Sequence, residues 1–351
     1  MTIHNILSAG IEKKASDIHL VANKNPMLRI DGKLIETDLG IMNAKKIEEL
    51  IMSMLTPQQQ ETYTKERELD FSYSVDDGNR FRVNLHWEKN NPGLVARLIS
   101  NQVPNLQDLG AGEVIINLAR SEEGLVLVTG PTGSGKSTTL AAMVELINTE
   151  RACHIITLED PIEFIYTSKK SIIKQRQLGS DMLSFGEGLK HILRQDPNVI
   201  LIGEMRDLET IAAAITIAET GHFVLATLHT NSAAHTVERI IDVFPPYQQN
   251  QVRLQVANTL KGVISQRLLP KKDGGRIATR EVMICNPAIA NLIRENKLEQ
   301  IRSVMQTSRD AGMITMDQDI KRLLEEKVIE EQVAKAHMLS PESLAFPGLG
   351  A

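Results

Sequence analysis

The clearest chemical signal in the chain is a glycine-rich stretch, Gly130 to Ser137, that fits the pattern GxxxxGK[ST]. It follows the apolar run Leu125 to Thr129 and precedes a predicted helix from Ser137 to Ile147. Glycines let such a loop wrap around phosphate oxygens, so that backbone N–H groups and a helix N-terminus face the negative charge. Because both contexts fit, we prefer a nucleotide site to a chance glycine-rich turn. The predicted nucleotide-binding residues are Gly130, Pro131, Thr132, Gly133, Ser134, Gly135, Lys136, Ser137 and Thr138.

This loop predicts particular roles for its last residues. Lys136 would bridge the terminal phosphates of ATP and would therefore count as catalytic, and Ser137 would be a ligand of Mg²⁺. We therefore expect ATP and Mg²⁺ as the cofactors.

Carboxylates provide the second signal. The segment Thr157 to Glu163 places three acids at the end of a predicted strand, where open parallel sheets bind their ligands. Phosphoryl transfer needs a group that orients water and acids that hold the metal. We predict that Glu163 is the base that activates water and that it also serves the metal. The alternative is a solvated acidic turn, since carboxylates usually lie exposed.

A second glutamate fits the same chemistry. The apolar run Val199 to Ile202 is followed closely by Glu204, whose carboxylate would reach Mg²⁺ through water or polarise the attacking water. Either Glu163 or Glu204 fits either role.

Two histidines, His222 and His229, stand at the two ends of the apolar run Phe223 to Leu228. Neither has a second ligand at metal-binding spacing. We expect hydrogen-bonded structural histidines, with a sensor of the γ-phosphate as the sharper alternative.

Composition limits the class of protein. A chain of 351 residues with 42% hydrophobic and 24% charged residues predicts a globular protein of two domains. The charged N-terminus and the lack of a long apolar run predict a cytoplasmic protein. Cys153 and Cys285 stand far apart, so we expect neither a disulfide framework nor zinc. The net charge of −5 argues against a nucleic-acid partner.

The order of patterns predicts an α+β module over residues 1–100, a linker over 101–112 and an α/β domain over 113–351. The module begins with a helix from Ile3 to Ala15, and Asp31-Gly32 predicts a hairpin. Later alternating strands are separated by expected turns at Asp76 to Asn79 and Asn90 to Gly93. In the α/β domain, apolar runs typical of a buried parallel sheet alternate with helical stretches, and the chain becomes helical beyond Pro287. The predicted core strands are Leu125 to Thr129, His154 to Leu158, Val199 to Ile202 and Phe223 to Leu228, and a Pro/Gly tail runs from Pro347 to Ala351.

Four segments in this order resemble the secretion and pilus ATPase family: the glycine-rich loop, T-L-E-D-P-I-E, I-G-E-M-R-D, and T-G-H through T-L-H-T. Ala15 to Leu20 and Arg80 to Asn84 resemble its N-terminal domain. The resemblance implies a RecA-like P-loop NTPase core of α/β class, with a smaller N-terminal α+β domain similar to a PAS fold. It also implies a homohexamer that binds ATP between subunits. Arginine fingers are then expected from Arg82 and Arg97, and from Arg194 in the core, with ordinary surface charge as the alternative.

Within this family the chain resembles the retraction branch. It lacks the four-cysteine zinc insertion of the longer members, and Ala288 to Glu295 reads A-I-A-N-L-I-R-E against the branch marker A-I-R-N-L-I-R-E. Ala290 replaces an arginine there, and plain amphipathic packing is the alternative explanation of this helix.

The resemblance implies an ATPase motor for type IV pilus retraction and twitching motility. Such a motor would lie at the inner face of the cytoplasmic membrane, act on a membrane platform protein and, through it, on pilin. Two alternatives share the same fold: a nucleic-acid translocase and a nucleotide-switched regulatory subunit.

Overall fold

The structure is a computed structural model that describes residues 1–30, 32–75, 79–99 and 102–341. Parts of the expected hairpin turn, of the turn at Asp76 to Asn79 and of the linker, as well as the tail from Pro347, lie outside the described residues. The chain divides into two compact units. The first holds Met1–Gln102 together with Glu163–Ile165, and the second holds Val103–Ile162 and the chain from Tyr166 onwards.

The first unit is built on a fully antiparallel sheet. Its elements are α1 (Ile3–Glu12), β1 (Asp17–Leu20), β2 (Met27–Ile30), β3 (Lys33–Glu36), α2 (Ala44–Met52), α3 (Pro57–Glu66), β4 (Leu69–Ser74), β5 (Arg80–Glu88) and β6 (Asn91–Ile99). The six strands run in the order β3-β2-β1-β6-β5-β4. On β5 the alternate residues Phe81, Val83 and Leu85 are buried, as the alternation in the sequence predicts. The hairpin of β2 and β3 is confirmed.

The predicted turn over Asn90 to Gly93 is wrong in its position. Lys89 and Asn90 form the turn, with φ angles of 51° and 62°, and β6 begins at Asn91. Pro92 already lies in the strand, opposite Trp87. A two-residue turn with both residues in the left-handed region follows the twist of its strands, and asparagine tolerates that region better than most residues. The first helix is also shorter than predicted and ends at Glu12.

The second unit holds the remaining helices and strands. They are α4 (Glu113–Ala119), β7 (Gly124–Thr129), α5 (Lys136–Glu150), β8 (His154–Glu159), β9 (Ile172–Gln177), α6 (Phe185–Ile192), β10 (Val199–Ile202), α7 (Leu208–Glu219), β11 (Phe223–Leu228), α8 (Ala233–Asp242), α9 (Pro246–Thr259), β12 (Leu260–Pro270), β13 (Arg276–Ile284), α10 (Pro287–Arg294), α11 (Ile301–Thr307), α12 (Met316–Glu325) and α13 (Glu331–His337). All four predicted core strands are present, and the helical C-terminal segment is confirmed.

A seven-stranded sheet in the order β13-β12-β7-β11-β10-β8-β9 forms the centre of this unit. Among the described strands of this sheet, only β13 runs antiparallel to its neighbour. Leu125 and Leu127 of β7 pack into one hydrophobic core with α7, α8 and α9, whereas Val126 and Val128 pack into another core with α4 and α5. Because β7 is covered on both faces, its sequence is apolar throughout. The doubly wound α/β core predicted from the sequence is confirmed.

A buried aspartate joins three strands of the first sheet. The carboxylate of Asp17 on β1 accepts a hydrogen bond of 2.7 Å from Nε of Arg97 on β6, and Nε of Arg29 on β2 lies 3.8 Å away. The hydroxyl of Ser16 donates a further bond of 2.8 Å. Burial alone would raise the pKa of Asp17, but the hydrogen bonds from Arg97 and Ser16 outweigh it and lower the pKa below its ordinary 3.8.

We expect Asp17→Asn to destabilise the first unit by about 1 to 2 kcal/mol near neutral pH, because the charge-assisted bond to Arg97 is lost. A lowered carboxyl pKa stabilises the fold above the ordinary pKa, and this stabilisation is lost as pH falls through the folded value. The difference in stability between variant and wild type should therefore shrink as pH falls below the ordinary carboxyl pKa of 3.8 and through the lower folded value. Hydrogen exchange of the β1 and β6 amides in the full chain measures this difference in stability. A stability difference between variant and wild type that stays constant with pH would contradict the ion-pair explanation.

Candidate nucleotide-binding site

The glycine-rich loop connects the end of β7 to the start of α5, at the carboxyl edge of the parallel strands. Gly130 has a φ of 143°, and a Cβ atom there would lie 2.2 Å from the carbonyl oxygen of Gln266. Gly133 and Gly135 also have positive φ angles, of 78° and 87°. Only glycine fits at Gly130, because both the backbone conformation and the approach of β12 exclude a side chain.

The loop and the start of α5 offer hydrogen-bond donors to a ligand. No side chain of the described residues caps the first turn of α5, whose N-cap is Gly135. The hydroxyl of Ser134 is buried and has no hydrogen-bond partner in the described part of the chain. Lys136 is buried, and its ammonium group donates to the carbonyl oxygens of Gly130 and Pro131 at 2.8 and 3.1 Å. Free donors, a helix N-terminus and a buried cation fit a phosphate group.

Neighbouring strands fix the loop from both sides. On one side the hydroxyl of Thr129 lies 2.8 Å from that of Ser265 on β12. On the other side the backbone N–H of Gly130 donates to the carbonyl oxygen of Leu228 at the end of β11. Since these partners lie in the rigid sheet, the position of the loop depends little on its own flexibility.

Glu204 and His229, both predicted from the sequence, meet at the same edge of the sheet. Nε2 of His229 lies 3.3 Å from Oε1 of Glu204, and Nε of Arg206 donates to Oε2 at 2.8 Å. The strands behind them are tied together, because the hydroxyl of Thr227 donates to the carbonyl oxygen of Gly203 at 2.5 Å. The Glu204 side chain is 24% exposed, so it is both anchored and accessible to water.

Glu159 is a buried carboxylate to which the sequence interpretation gave no role. It is the last residue of β8, is buried, and accepts hydrogen bonds from the Thr157 hydroxyl at 2.6 Å and the Gln175 amide at 3.3 Å. A Cβ on Gly203 would lie 3.3 Å from its Cα, so it lies beside the end of β10. The sequence signal that could have identified Glu159 is that it directly follows the mostly apolar run of β8. Glu163, the predicted base, is exposed and belongs to the first unit.

His222 and Arg194 lie at the opposite edge of the sheet. His222 precedes β11, and its Nδ1 lies 2.9 Å from the Thr220 hydroxyl and 3.3 Å from the carbonyl oxygen of Ile217. Arg194 is exposed in a 3₁₀ turn ahead of β10. At about 3.3 Å per residue, the length of β11 separates His222 from the loop edge by roughly 20 Å. Neither residue reaches the loop of its own chain.

The two predicted arginines of the first unit differ in their pairing. Arg82 and Arg97 are exposed and lie opposite each other on β5 and β6. Arg97 is bound to Asp17, whereas no carboxylate of the described residues pairs with Arg82.

The helix that carries the branch marker is α10. Ile289, Ala290 and Ile293 are buried on its inner face, so the departing position lies in the core. The exposed Arg294 donates to the Asn258 side chain of α9 at 3.4 Å. Amphipathic packing accounts for the inner face of this helix, and its polar outer face is accessible.

The described residues contain no group of three or more His, Cys, Asp or Glu side chains that could together hold a metal ion. No helix of the described chain is long and apolar enough to cross a membrane.

Comparison with known proteins decides the family. The family model described as "Type II/IV secretion system protein" matches residues 1–274. The chain belongs to the type II/IV secretion system protein family. Within this family it is 45% identical over 343 residues to the type IV pilus retractation ATPase PilT of Pseudomonas aeruginosa, covering 98% of this chain and 100% of that protein.

Two further members of the family are similar over most of their length. The twitching motility protein of Neisseria gonorrhoeae is 47% identical over 327 residues, which is 93% of this chain and 87% of that protein. The crystal structure of the pilus retraction motor PilT with bound ADP superposes with a TM-score of 0.92 at 43% identity, covering 98% of this chain and 99% of the other. The family and the RecA-like core that the motifs predict are both confirmed.

We expect Gly130→Ala to abolish nucleotide binding, because its Cβ would meet the Gln266 carbonyl oxygen. Gly133→Ala is the matched control: its φ is also positive, but a Cβ there meets no atom within 4 Å. It should weaken binding by only about tenfold, from roughly 1 to 2 kcal/mol of backbone strain. Titration with a fluorescent ATP analogue measures both. Equal losses would show that backbone strain, and not the contact with β12, makes glycine necessary.

Proposed function

We propose that this chain is an ATP-hydrolysing motor that drives retraction of type IV pili. The observation that carries the proposal is the phosphate-binding geometry of Gly130 to Ser137, found in a chain 45% identical to a pilus retractation ATPase over 98% of its length. Family membership supports the ATPase, and the names of the similar proteins support pilus retraction as the work performed.

The proposed hydrolysis uses residues at the carboxyl edge of the sheet. The loop N–H groups and Lys136 bind and orient the phosphates, and Ser137 with Glu204 would hold Mg²⁺. When bound, the metal ion would neutralise charge that develops on the phosphate oxygens. Glu204 is held by His229 and Arg206, so its carboxylate can orient a water molecule. Glu163 is the second proposed base, and Glu159 supports the same edge from β8.

The proposed active form is a homohexamer with sites shared between subunits. Arg194 and His222 lie at the edge of the sheet away from the loop of their own chain, so a role at the phosphates requires a neighbouring chain. Of the two predicted arginine fingers in the first unit, Arg82 is a better candidate than Arg97, because Arg82 is exposed and pairs with no carboxylate of the described chain. Arg97 would first have to leave Asp17.

The proposed partners are a platform protein of the inner membrane and, through it, pilin. The motor would work in the cytoplasm, bound at the inner face of that membrane. The exposed polar face of α10 is a candidate docking face, since Asn291, Arg294 and Glu295 lie on it. The net charge of −5 favours these partners over nucleic acid.

Steady-state ATP hydrolysis measured against protein concentration tests the motor. We expect specific activity to rise as hexamers assemble and to fall to background in Lys136→Ala, because the cation at the terminal phosphates is lost. Cells that carry Lys136→Ala should assemble pili normally but fail to retract them. Activity independent of assembly would refute shared sites, and unchanged retraction would refute the motor.

Mixing of inactive subunits tests the arginine finger. We expect Arg82→Ala and Lys136→Ala each to be inactive, while a mixture refolded or exchanged at equal amounts recovers activity. In random hexamers, about a quarter of the interfaces join an intact loop to an intact arginine. Arg80→Ala, two residues away on β5, is the control and should stay active alone. A mixture without activity would show that Arg82 does not act across the interface.

A further inference from the structure

A buried glutamine of β12 holds the glycine-rich loop. Gln266 is 2% exposed, and its Nε2 donates to the backbone carbonyl oxygen of Ser134 at 2.6 Å. Its Oε1 accepts from the hydroxyl of Thr139 on α5 at 2.8 Å. One side-chain amide therefore bonds both to the loop and to the helix that follows it.

The same Oε1 accepts a second hydrogen bond, from a buried arginine of β13. Arg280 lies directly opposite Gln266 in the strand register and is 6% exposed. Its Nε donates to Gln266 at 3.1 Å. Nη2 and Nη1 donate to the carbonyl oxygens of Leu109 and Gly110, at 2.9 and 3.2 Å. The guanidinium thus connects the glutamine to the backbone of the linker.

The strand that carries Arg280 is itself fixed. The Asp319 carboxylate of α12 accepts from the backbone N–H of Arg280 at 2.8 Å and from the hydroxyl of Thr279 at 3.0 Å. Asp319 is in turn bound by Arg322. Since the β13 backbone cannot shift easily, movement at Gln266 must be taken up by the side chain of Arg280 and by its linker acceptors.

Burial makes these contacts costly to break. A guanidinium out of water loses much hydration free energy, and a buried amide without partners loses the free energy of its bonds. The amide of Gln266 is planar and rigid, so displacement of its nitrogen displaces its oxygen as well. Closure of the loop around phosphate would move the Ser134 carbonyl, and the shift would pass through Gln266 to Arg280 and the linker.

We infer that Gln266 and Arg280 are positioning residues that hold the glycine-rich loop and transmit its nucleotide state to the linker at Leu109 and Gly110. This relay rests on the proposed ATPase function. ATP affinity and movement of the linker then depend on these two residues, which lie outside the motif segments. Neither side chain needs to touch the nucleotide for this role.

Hydrogen exchange in the full-length hexamer, with and without Mg²⁺ and ADP, tests the transmission. In the wild type, peptides that cover residues 105–112 and 130–139 should both gain protection on addition of nucleotide. In Arg280→Lys, which keeps the charge but loses the forked donors, the loop peptide should respond as before and the linker peptide should lose most of its response. Arg276→Lys, exposed at the start of β13, is the matched control and should behave like the wild type.

ATP kinetics test the positioning of the loop. Gln266→Met should raise KM for ATP about tenfold with kcat changed less than about twofold, because binding and not chemistry loses its support. Thr139→Val removes only one bond to the glutamine and should change KM less than about threefold. If Gln266→Met fails to fold, Gln266→Glu tests the same bond, since its carboxylate cannot donate to Ser134.

A linker peptide in Arg280→Lys that responds like the wild type would overturn the transmission. An unchanged KM in a folded Gln266 variant would overturn the positioning. Failure of the proposed function can be told apart from failure of the relay. A wild type that does not hydrolyse ATP refutes the motor, but the hydrogen-exchange response to ADP still tests the relay.

Discussion

No side chain of the described residues caps the start of α5, so a phosphate can accept hydrogen bonds there, and the second unit is laid out around that position. A helix N-terminus without a capping side chain carries partial positive charge, and Gly135 supplies no cap among the described residues. In a parallel sheet all carboxyl ends lie at one edge, so the ends of β8, β10 and β11 bring Glu159, Glu204 and His229 to the same side as the loop. The apolar strands behind them provide the rigid support.

Several polar side chains within this rigid core are matched with a partner. The Thr129 and Ser265 hydroxyls pair with each other, and the Thr227 hydroxyl pairs with the Gly203 carbonyl oxygen. Such pairs contribute little net free energy, but a one-sided change leaves a buried group unsatisfied. They therefore fix which strand lies beside which loop residue. Accuracy of the site, rather than added stability, is what these buried pairs provide.

The sequence predicts the elements whose signal is local. The glycine-rich loop and four of the core strands are continuous patterns, and the structure contains all of them. It does not predict Gln266 or Arg280, because their importance comes from contacts with Ser134 and Leu109, more than a hundred residues away. The turn at Asp273-Gly274-Gly275 was a local sign of the β12–β13 hairpin. Likewise, the sequence alone does not show which of Glu163 and Glu159 is the better candidate for the nucleotide site, because that depends on which residue ends β8.

Two buried charges in this chain are satisfied in different ways, and the difference fits their roles. Asp17 is paired with arginine, so a fixed opposite charge holds it and separation would leave a buried carboxylate uncompensated. The guanidinium of Arg280 is instead surrounded by neutral oxygens of Gln266, Leu109 and Gly110. Burial lowers the pKa of Arg280, although nearby Asp319 opposes this. Carbonyl acceptors can be exchanged for one another at small net cost, since one hydrogen bond replaces another. An arginine held by carbonyl oxygens can follow a moving backbone without breaking an ion pair. A side chain that connects a nucleotide site to a linker needs this freedom.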